Sequence, residues 1–485
     1  MRNFKYIFAA FLLFTGSISN DRTDHNPRYS NGIEDRIDRV IGNLQVKSDI
    51  DGVYESKSLN ERLKFYHTPG VSIAAINDGK LEWARGFGIR NNISNDPVDA
   101  STMFMAGSVS KPIFALAVMR LKEKGIVDLD KDVNEYLKSW KVPPVNDWQP
   151  KISLRQLLSH TAGMTVGGFE GYLRTDPIPN LPQILNGEPP ANSPPVKVNI
   201  LPGMVMRYAG GGTTVAQLTI MDILGISFPE ILHKELFEPL NLIFSTYEQP
   251  LPERLQNNYS IGFPNKSVPI IGGYHVYPEM AAAGLWTTPK ELSMLLIEIQ
   301  KGLKGQSDVF KKETMEEMLT PQKISPVVGI GFFLQGENES RRFFHSGWDE
   351  GFVTTAIAYA NMGLGAVVMV NSNEGFAMLD EILNSIAIEY QWPDFFSPNK
   401  YNAIINEAEA KELTGKYFDN ENNELGINYS ANNLYLVYQN QEPLGISKTQ
   451  DGKFRNELFN FSISISNDTL DLVQEQISKI YFKGK

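Results

Sequence analysis

The rhythm of apolar and polar positions changes several times along the chain, and each change marks an element. From Gly70, Val71, Ile73 and Ala75 alternate with Ser72 and Ala74 up to Ile76. Asn77-Asp78-Gly79 supplies a tight turn, and Leu81, Trp83 and Ala84 resume beyond it, a pattern that predicts a β-hairpin. Residues 109–124 are apolar on nearly every side through Met119, as in a helix buried in mid-domain, and Gly125 ends it. Residues 213–224 predict another helix, with Ala216, Ile220, Ile223 and Leu224 on one face and Gly225 as its stop. Thr288-Pro289-Lys290-Glu291 reads as a capping box with proline at the first helical position. Phe352–Tyr359 and Leu364–Asn371 read as two strands around Asn361-Met362-Gly363. Between these elements, residues 177–203 carry eight prolines. Patterned sequence flanks them, so they read as a long loop packed on a surface rather than a linker.

Near residue 395 the texture shifts. Residues 405–414 form a short helix rich in Glu and Ala, and only short strands and turns follow Gly415. Leu434, Leu436 and Tyr438 alternate after Asn432-Asn433; Phe461, Ile463 and Ile465 alternate with serines before Asn467-Asp468. This predicts a small, mainly β domain of roughly 70–80 residues. At the other end, Arg2 and Lys5 precede an apolar stretch from Tyr6 to Phe14, and Ser17-Ile18-Ser19 follows as a small-x-small cleavage signal. The stretch is too short to span a bilayer. The expected division is therefore a signal peptide over 1–19, a tether and first helix over 20–46, a main domain over 47–398 and a β domain over 399–485. The mature chain is expected in the periplasm or outside the cell, with no membrane span.

Composition narrows the chemistry. The chain of 485 residues contains no cysteine. That removes disulfides, thiolate metal sites, thiol catalysis and a lipobox anchor. A formal charge of −11 argues against nucleic acid as a partner. No metal or other cofactor is implied, and no oligomeric state is specified.

Gly107-Ser108-Val109-Ser110-Lys111 carries the strongest local signal. Ser108 sits where a loop becomes the buried helix, and Lys111, three residues on, shares its face. A serine hydroxyl needs a nearby base to become a nucleophile, and the helix start adds N–H groups that favour developing negative charge. Met206-Arg207-Tyr208-Ala209-Gly210-Gly211-Gly212 sets a tyrosine before a glycine-rich turn. Phe344-His345-Ser346-Gly347-Trp348 ends an apolar run, and a His-x-Gly on an edge strand can offer a polar side chain and N–H groups to a ligand.

In the order Ser-x-x-Lys, Tyr, His-x-Gly, these segments resemble the penicillin-recognising serine hydrolases: class C β-lactamases, low-molecular-weight penicillin-binding proteins, D-amino-acid peptidases and related esterases. Pro69-Gly70-Val71-Ser72-Ile73, Leu157-Leu158-Ser159-His160-Thr161-Ala162-Gly163 and Ala283-Gly284-Leu285-Trp286-Thr287-Thr288 add to the likeness, which covers roughly residues 47–395. The resemblance implies an α+β fold, a mainly antiparallel sheet flanked by helices with an all-helical subdomain and the active site between them. It implies Ser108 as the acylated nucleophile, with Lys111 and Tyr208 sharing base and acid work. The backbone N–H groups of Ser108 and Trp348 become the oxyanion hole, and His345 and Gly347 line the substrate strand. His160 belongs to a segment that is structural in the family. The β domain resembles the lipocalin-like appendages of some relatives, either restricting or shaping the active-site mouth or serving as a stability or docking module.

Two departures bear on substrate. Class C β-lactamases follow the tyrosine with x-Asn, where this chain has Gly210, and carry Lys-Thr-Gly, where it has His345-Ser346-Gly347. Both changes remove groups that grip a β-lactam. The leading expectation is an exported serine hydrolase that cleaves an amide or ester through an acyl-enzyme on Ser108. Its substrate would be a small molecule or peptide, such as a D-amino-acid peptide or a cell-wall fragment. A carboxylesterase, a weak β-lactamase, or an inactive penicillin-binding or sensor protein are the alternatives.

Overall fold

The structure, a computed structural model, describes residues 26–47, 54–396 and, with short breaks, 405–484. The signal-peptide segment 1–19 and the domain boundary at 398 lie outside the described residues.

The first helix, α1 (Asn31–Gly42), leads into the hairpin of β1 (Gly70–Asn77) and β2 (Lys80–Asn91), which β3 (Asp96–Pro97) extends. The rest of the sheet comes from β4 (Phe333–Gln335), β5 (Arg342–Asp349), β6 (Phe352–Tyr359) and β7 (Gly365–Val370). The seven strands lie in the order β4-β5-β6-β7-β1-β2-β3, all antiparallel. The sheet is buried on both sides, so period-two alternation sorts side chains between two cores rather than between core and water. Val367 and Met369 of β7 face one cluster; Ala366, Val368 and Val370 face the other.

Four longer helices complete the domain: α2 (Ser110–Glu123), α3 (Gly210–Leu224), α4 (Pro289–Leu303) and α5 (Phe376–Glu389). Leu292, Leu295 and Ile299 of α4 cover one face of the sheet, while Met378, Ile382 and Ile386 of α5, with Ile37 and Val40 of α1, cover the other. Helix α2 is buried from Ser110 through Met119, as its all-round apolar pattern predicts. Among the described residues, no single helix is long and apolar enough to cross a membrane.

Several elements differ from expectation. Helix α3 begins at Gly210, so the three glycines form its first turn instead of a loop ahead of it. The Gly167 and Val166 carbonyls accept from Gly210 N–H and Gly211 N–H, satisfying groups that a helix start leaves open. Only half of the capping box forms. Thr288 accepts from Glu291 N–H at 3.1 Å, but the Glu291 carboxylate turns away to Phe244 N–H and the Ser245 hydroxyl. The proline-rich segment contains one short helix, Leu181–Asn186, and buries Val196 and Val198 in the main core. Leu44–Lys47 and Tyr54–Lys57 pair as a small sheet for which the sequence reading had no signal.

After the helix Glu407–Leu413, eight strands from Gly415–Phe418 to Ile477–Lys483 close into a barrel. Its interior is filled by Tyr417, Leu425, Ile427, Phe454, Ile463 and Tyr481, so it is a packed core, as small barrels often are. This barrel cluster shares no residue with the two clusters around the sheet. A chain stopping at Pro398 should therefore keep a single cooperative melt by circular dichroism. Insolubility or loss of that melt would place the barrel within the folding unit.

Candidate active site

Ser108 lies in a 3-10 turn, Gly107–Val109, that runs directly into α2. The turn is held from several directions. Phe104–Met105 pairs with Trp286–Thr287, Ala106 N–H donates to Leu285 O at 2.9 Å, and Leu285 N–H donates to Ser110 Oγ at 3.0 Å. Below it, the buried Tyr247 hydroxyl donates to Ser110 O at 2.6 Å. Lys111, 4% exposed, reaches back along the helix, and its Nζ donates to Ser108 Oγ at 2.9 Å and to Ala282 O at 2.8 Å. Serine and amine are thus already in hydrogen-bond contact, as nucleophilic activation requires.

Strand β5 closes the site. A methyl group at Gly347 would lie 2.0 Å from Ala106 O and 2.9 Å from Ser108 N; one at Gly107 would lie 2.6 Å from Trp348 N. The two backbones touch because both positions lack a side chain, and Gly107 also has φ +54. This contact brings the backbone nitrogens of Ser108 and Trp348 to the same junction between turn and strand. The sequence reading put His-x-Gly on an edge strand, and the edge is β4. That strand pairs only with Arg342, Phe343 and Phe344, which leaves β5 unpaired on that side from His345 onward.

The Tyr208 ring stands over the amine, with Lys111 Nζ 4.9 Å from its centroid. Among the described residues, its hydroxyl makes no hydrogen bond to Ser108 or Lys111. His160 and His345 pack around the ring at centroid distances of 4.4 Å and 6.0 Å, and Phe333 of β4 closes the box at 6.3 Å. His160 and Phe333 are site neighbours that sequence reasoning missed. The Ser159–Gly163 stretch signalled structure but not which structure, and Phe333 carries no local signal. His160 holds its backbone at φ +58 and accepts from Ala209 N–H on Nδ1 at 3.3 Å, which steadies the residue after Tyr208. Its segment is structural, and what it builds is the site. At the Gly210 position a side chain would meet Gly167 O at 3.0 Å and the Phe169 ring at 3.1 Å, so no amide could stand there unchanged.

The imidazoles and carboxyls around Lys111 are buried, and burial disfavours their charged forms. His345 is 2% exposed, and its Nδ1–H donates to Ser346 O at 2.6 Å, leaving Nε2 as a lone pair. Burial and then the Lys111 charge push this imidazole down to about 3. The same causes, with His345 added, hold His160 well below the usual range. Two acids complete the surroundings. Asp349 ends β5 and Glu279 precedes the Met280–Ala283 turn that offers Ala282 O to Lys111. Burial raises Asp349 well above the ordinary carboxylate range and lifts Glu279 to about 8. A cleft of about 910 Å³, lined by residues that include His233, Phe237, Gln249 and Met280, contains none of these groups.

The Beta-lactamase family model matches residues 57–387, more than half of the chain. The chain belongs to the beta-lactamase family. Protein flp of Staphylococcus aureus (strain N315) is 22% identical over 346 residues, 69% of this chain and 66% of that protein. The chain thus spans just under two thirds of the length of such curated relatives. Among solved structures, the octameric penicillin-binding protein homologue from Pyrococcus abyssi superposes with TM-score 0.59 at 19% identity, covering 87% of this chain and 98% of that one. The D-amino acid amidase from Ochrobactrum anthropi SV3 superposes with TM-score 0.55 at 18% identity, covering 73% and 99%. At such identities these two likenesses speak for the fold, which is the family fold followed by the eight-stranded barrel.

The buried imidazoles give a pH test. A histidine whose folded value lies below the unfolded value of about 6.5 leaves the folded state with fewer protons than the unfolded chain. Stability is therefore lost as pH falls from about 6.5, by up to about 1.4 kcal/mol per unit for each such group. His345→Gln should lose less stability than wild type between pH 6.5 and 5, by about 1–2 kcal/mol in urea unfolding. Equal slopes would mean that His345 keeps its proton in the folded state.

Proposed function

We propose that the chain is a serine hydrolase working through an acyl-enzyme on Ser108. The observation that carries this reading is the 2.9 Å contact between a buried Lys111 amine and Ser108 Oγ, beside the Gly347–Trp348 backbone. Ser108 Oγ attacks the substrate carbonyl carbon while its proton passes to Lys111. The carbonyl oxygen becomes an oxyanion facing the N–H groups of Ser108 and Trp348. Lys111 and Tyr208 return the proton to the leaving amine or alcohol, and water releases the acyl group by the reverse path.

The substrate we infer is an amide or ester of a D-amino acid, in a short peptide or a cell-wall fragment. His345 stands where β-lactam-binding relatives carry a lysine, and a neutral imidazole gives a substrate carboxylate no charge-assisted hydrogen bond. Gly210 offers no side-chain amide. The fold shared with a D-amino acid amidase is consistent with this choice. Segment 1–19 has the composition of a cleavable signal, and we place the working enzyme in the periplasm or outside the cell.

Ser108→Ala should abolish labelling by a fluorophosphonate and by fluorescent penicillin while the melt stays within a few degrees of wild type. Turnover within tenfold of wild type would remove Ser108 from the mechanism. In a kcat/KM panel at pH 7.5, D-amino-acid amides and short esters should exceed benzylpenicillin and cephalothin, and His345→Lys should narrow the gap. Cephalothin turnover at or above about 10⁷ M⁻¹s⁻¹ would make the enzyme a β-lactamase.

A further inference from the structure

Asp349 and Glu279 are buried acids that acyl transfer, as laid out above, does not use. Asp349 shares the inward face of β5 with His345 and Gly347 and is 1% exposed; Glu279 is 0% exposed. None of their carboxyl oxygens has a partner within hydrogen-bond geometry, although Gly107 N–H approaches Asp349 and Glu279's own N–H approaches its carboxyl. Burying such groups without partners is unfavourable, and native structures seldom do so away from functional sites. These two stand on the elements that hold the reacting groups. Asp349 lies on the strand pressed against the Ser108 turn, and Glu279 at the head of the turn that receives the Lys111 amine.

The groups facing Lys111 can be taken in turn. Its hydrogen-bond partners, Ser108 Oγ and Ala282 O, are uncharged. The face of the Tyr208 ring lies 4.9 Å from its Nζ. His160 and His345 are neutral imidazoles. From the side of β5 it faces Asp349, whose raised value the Lys111 charge partly offsets. Asp349 is faced in turn by Glu279 and by Tyr277, whose hydroxyl accepts from Glu350 N–H at 3.1 Å and donates to Glu170 O at 3.3 Å.

We propose that Asp349 is a positioning residue for the nucleophile couple: its charge, held in check by Glu279, sets how readily Lys111 takes the proton of Ser108. The proposal rests on Ser108 and Lys111 acting as nucleophile and base. An ionised Asp349 stabilises the Lys111 ammonium, which has no lone pair for the serine proton. A protonated Asp349 leaves the amine free to act. Glu279 disfavours a second negative charge nearby, so it keeps Asp349 protonated to higher pH. The two acids therefore have opposite effects on Lys111, although both are carboxyls buried in the same place.

The test is the rate at which an alkyl fluorophosphonate labels Ser108 in the full chain, followed from pH 5 to 10. In that reaction the serine oxygen bonds to phosphorus, fluoride leaves and Lys111 takes the proton, so no natural substrate is needed. Asp349→Asn should move the midpoint of the rate profile to lower pH by about one unit or more. Glu279→Gln should move it to higher pH, because Asp349 then ionises more easily. Midpoints that stay put, or that move in the same direction, overturn the proposal, as does a rate loss uniform with pH. If Asp349→Asn gives no cooperative melt, the upward shift in Glu279→Gln decides alone, and its absence overturns the proposal. Labelling that is missing from wild type, or that survives in Ser108→Ala, would instead overturn the reading of Ser108 itself.

Discussion

Two backbones in contact hold this site together. The Gly107 turn and the Gly347 segment of β5 approach so closely that a methyl group on either would overlap main-chain atoms of the other. Main chain cannot rotate out of the way as a side chain can, so this contact sets the distance between the Ser108 turn and strand β5. The turn is fixed from below by Ser110, which binds Leu285 N–H through its hydroxyl and the Tyr247 hydroxyl through its carbonyl. The strand is fixed from behind by its full register with β6. A helix core apolar on all sides anchors both, because α2 has no polar face about which to roll.

Around that contact the protein buries imidazoles and carboxyls whose charged forms burial disfavours. His160 and His345 are imidazoles held neutral, and Asp349 and Glu279 are carboxyls whose burial favours the protonated form. Their effects on stability oppose one another. As pH falls towards 5, the histidines resist taking up protons that the unfolded chain accepts. The acids keep protons that the unfolded chain releases as pH rises. A site built this way exposes Lys111 to few fixed charges, so small changes in the neighbouring acids weigh heavily on it.

This arrangement also accounts for the two departures from the β-lactamase pattern. A lysine at the His345 position would bring a second cation towards Lys111 in a buried pocket. The imidazole avoids that, with Nδ1–H tied to Ser346 O. At Gly210 a side chain would crowd Gly167 O and the Phe169 ring, so an amide there needs both to shift. The family fold survives both changes because it depends on the sheet, on α2 and on the Gly107–Gly347 contact, none of which involves these side chains.

Much of this was legible in the sequence because it is local. The hairpin at Asn77-Asp78-Gly79, the buried α2, the stop at Gly225 and the barrel strands are written in short-range alternation and turn chemistry. The Ser108–Lys111 contact was legible for the same reason, since helical geometry places i and i+3 on one face. What could not be read there lies far apart along the chain. Phe333 meets Tyr208 across 125 residues, Glu291 leaves its own helix start for Ser245, and β4 rather than β5 forms the sheet edge. Asp349 and Glu279 look in sequence like ordinary surface acids. Only the packing of β5 against the Ser108 turn, and of the Met280–Ala283 turn against Lys111, removes water from them. Local pattern determines which elements form; desolvation depends on which elements meet, and that was decided by the tertiary structure alone.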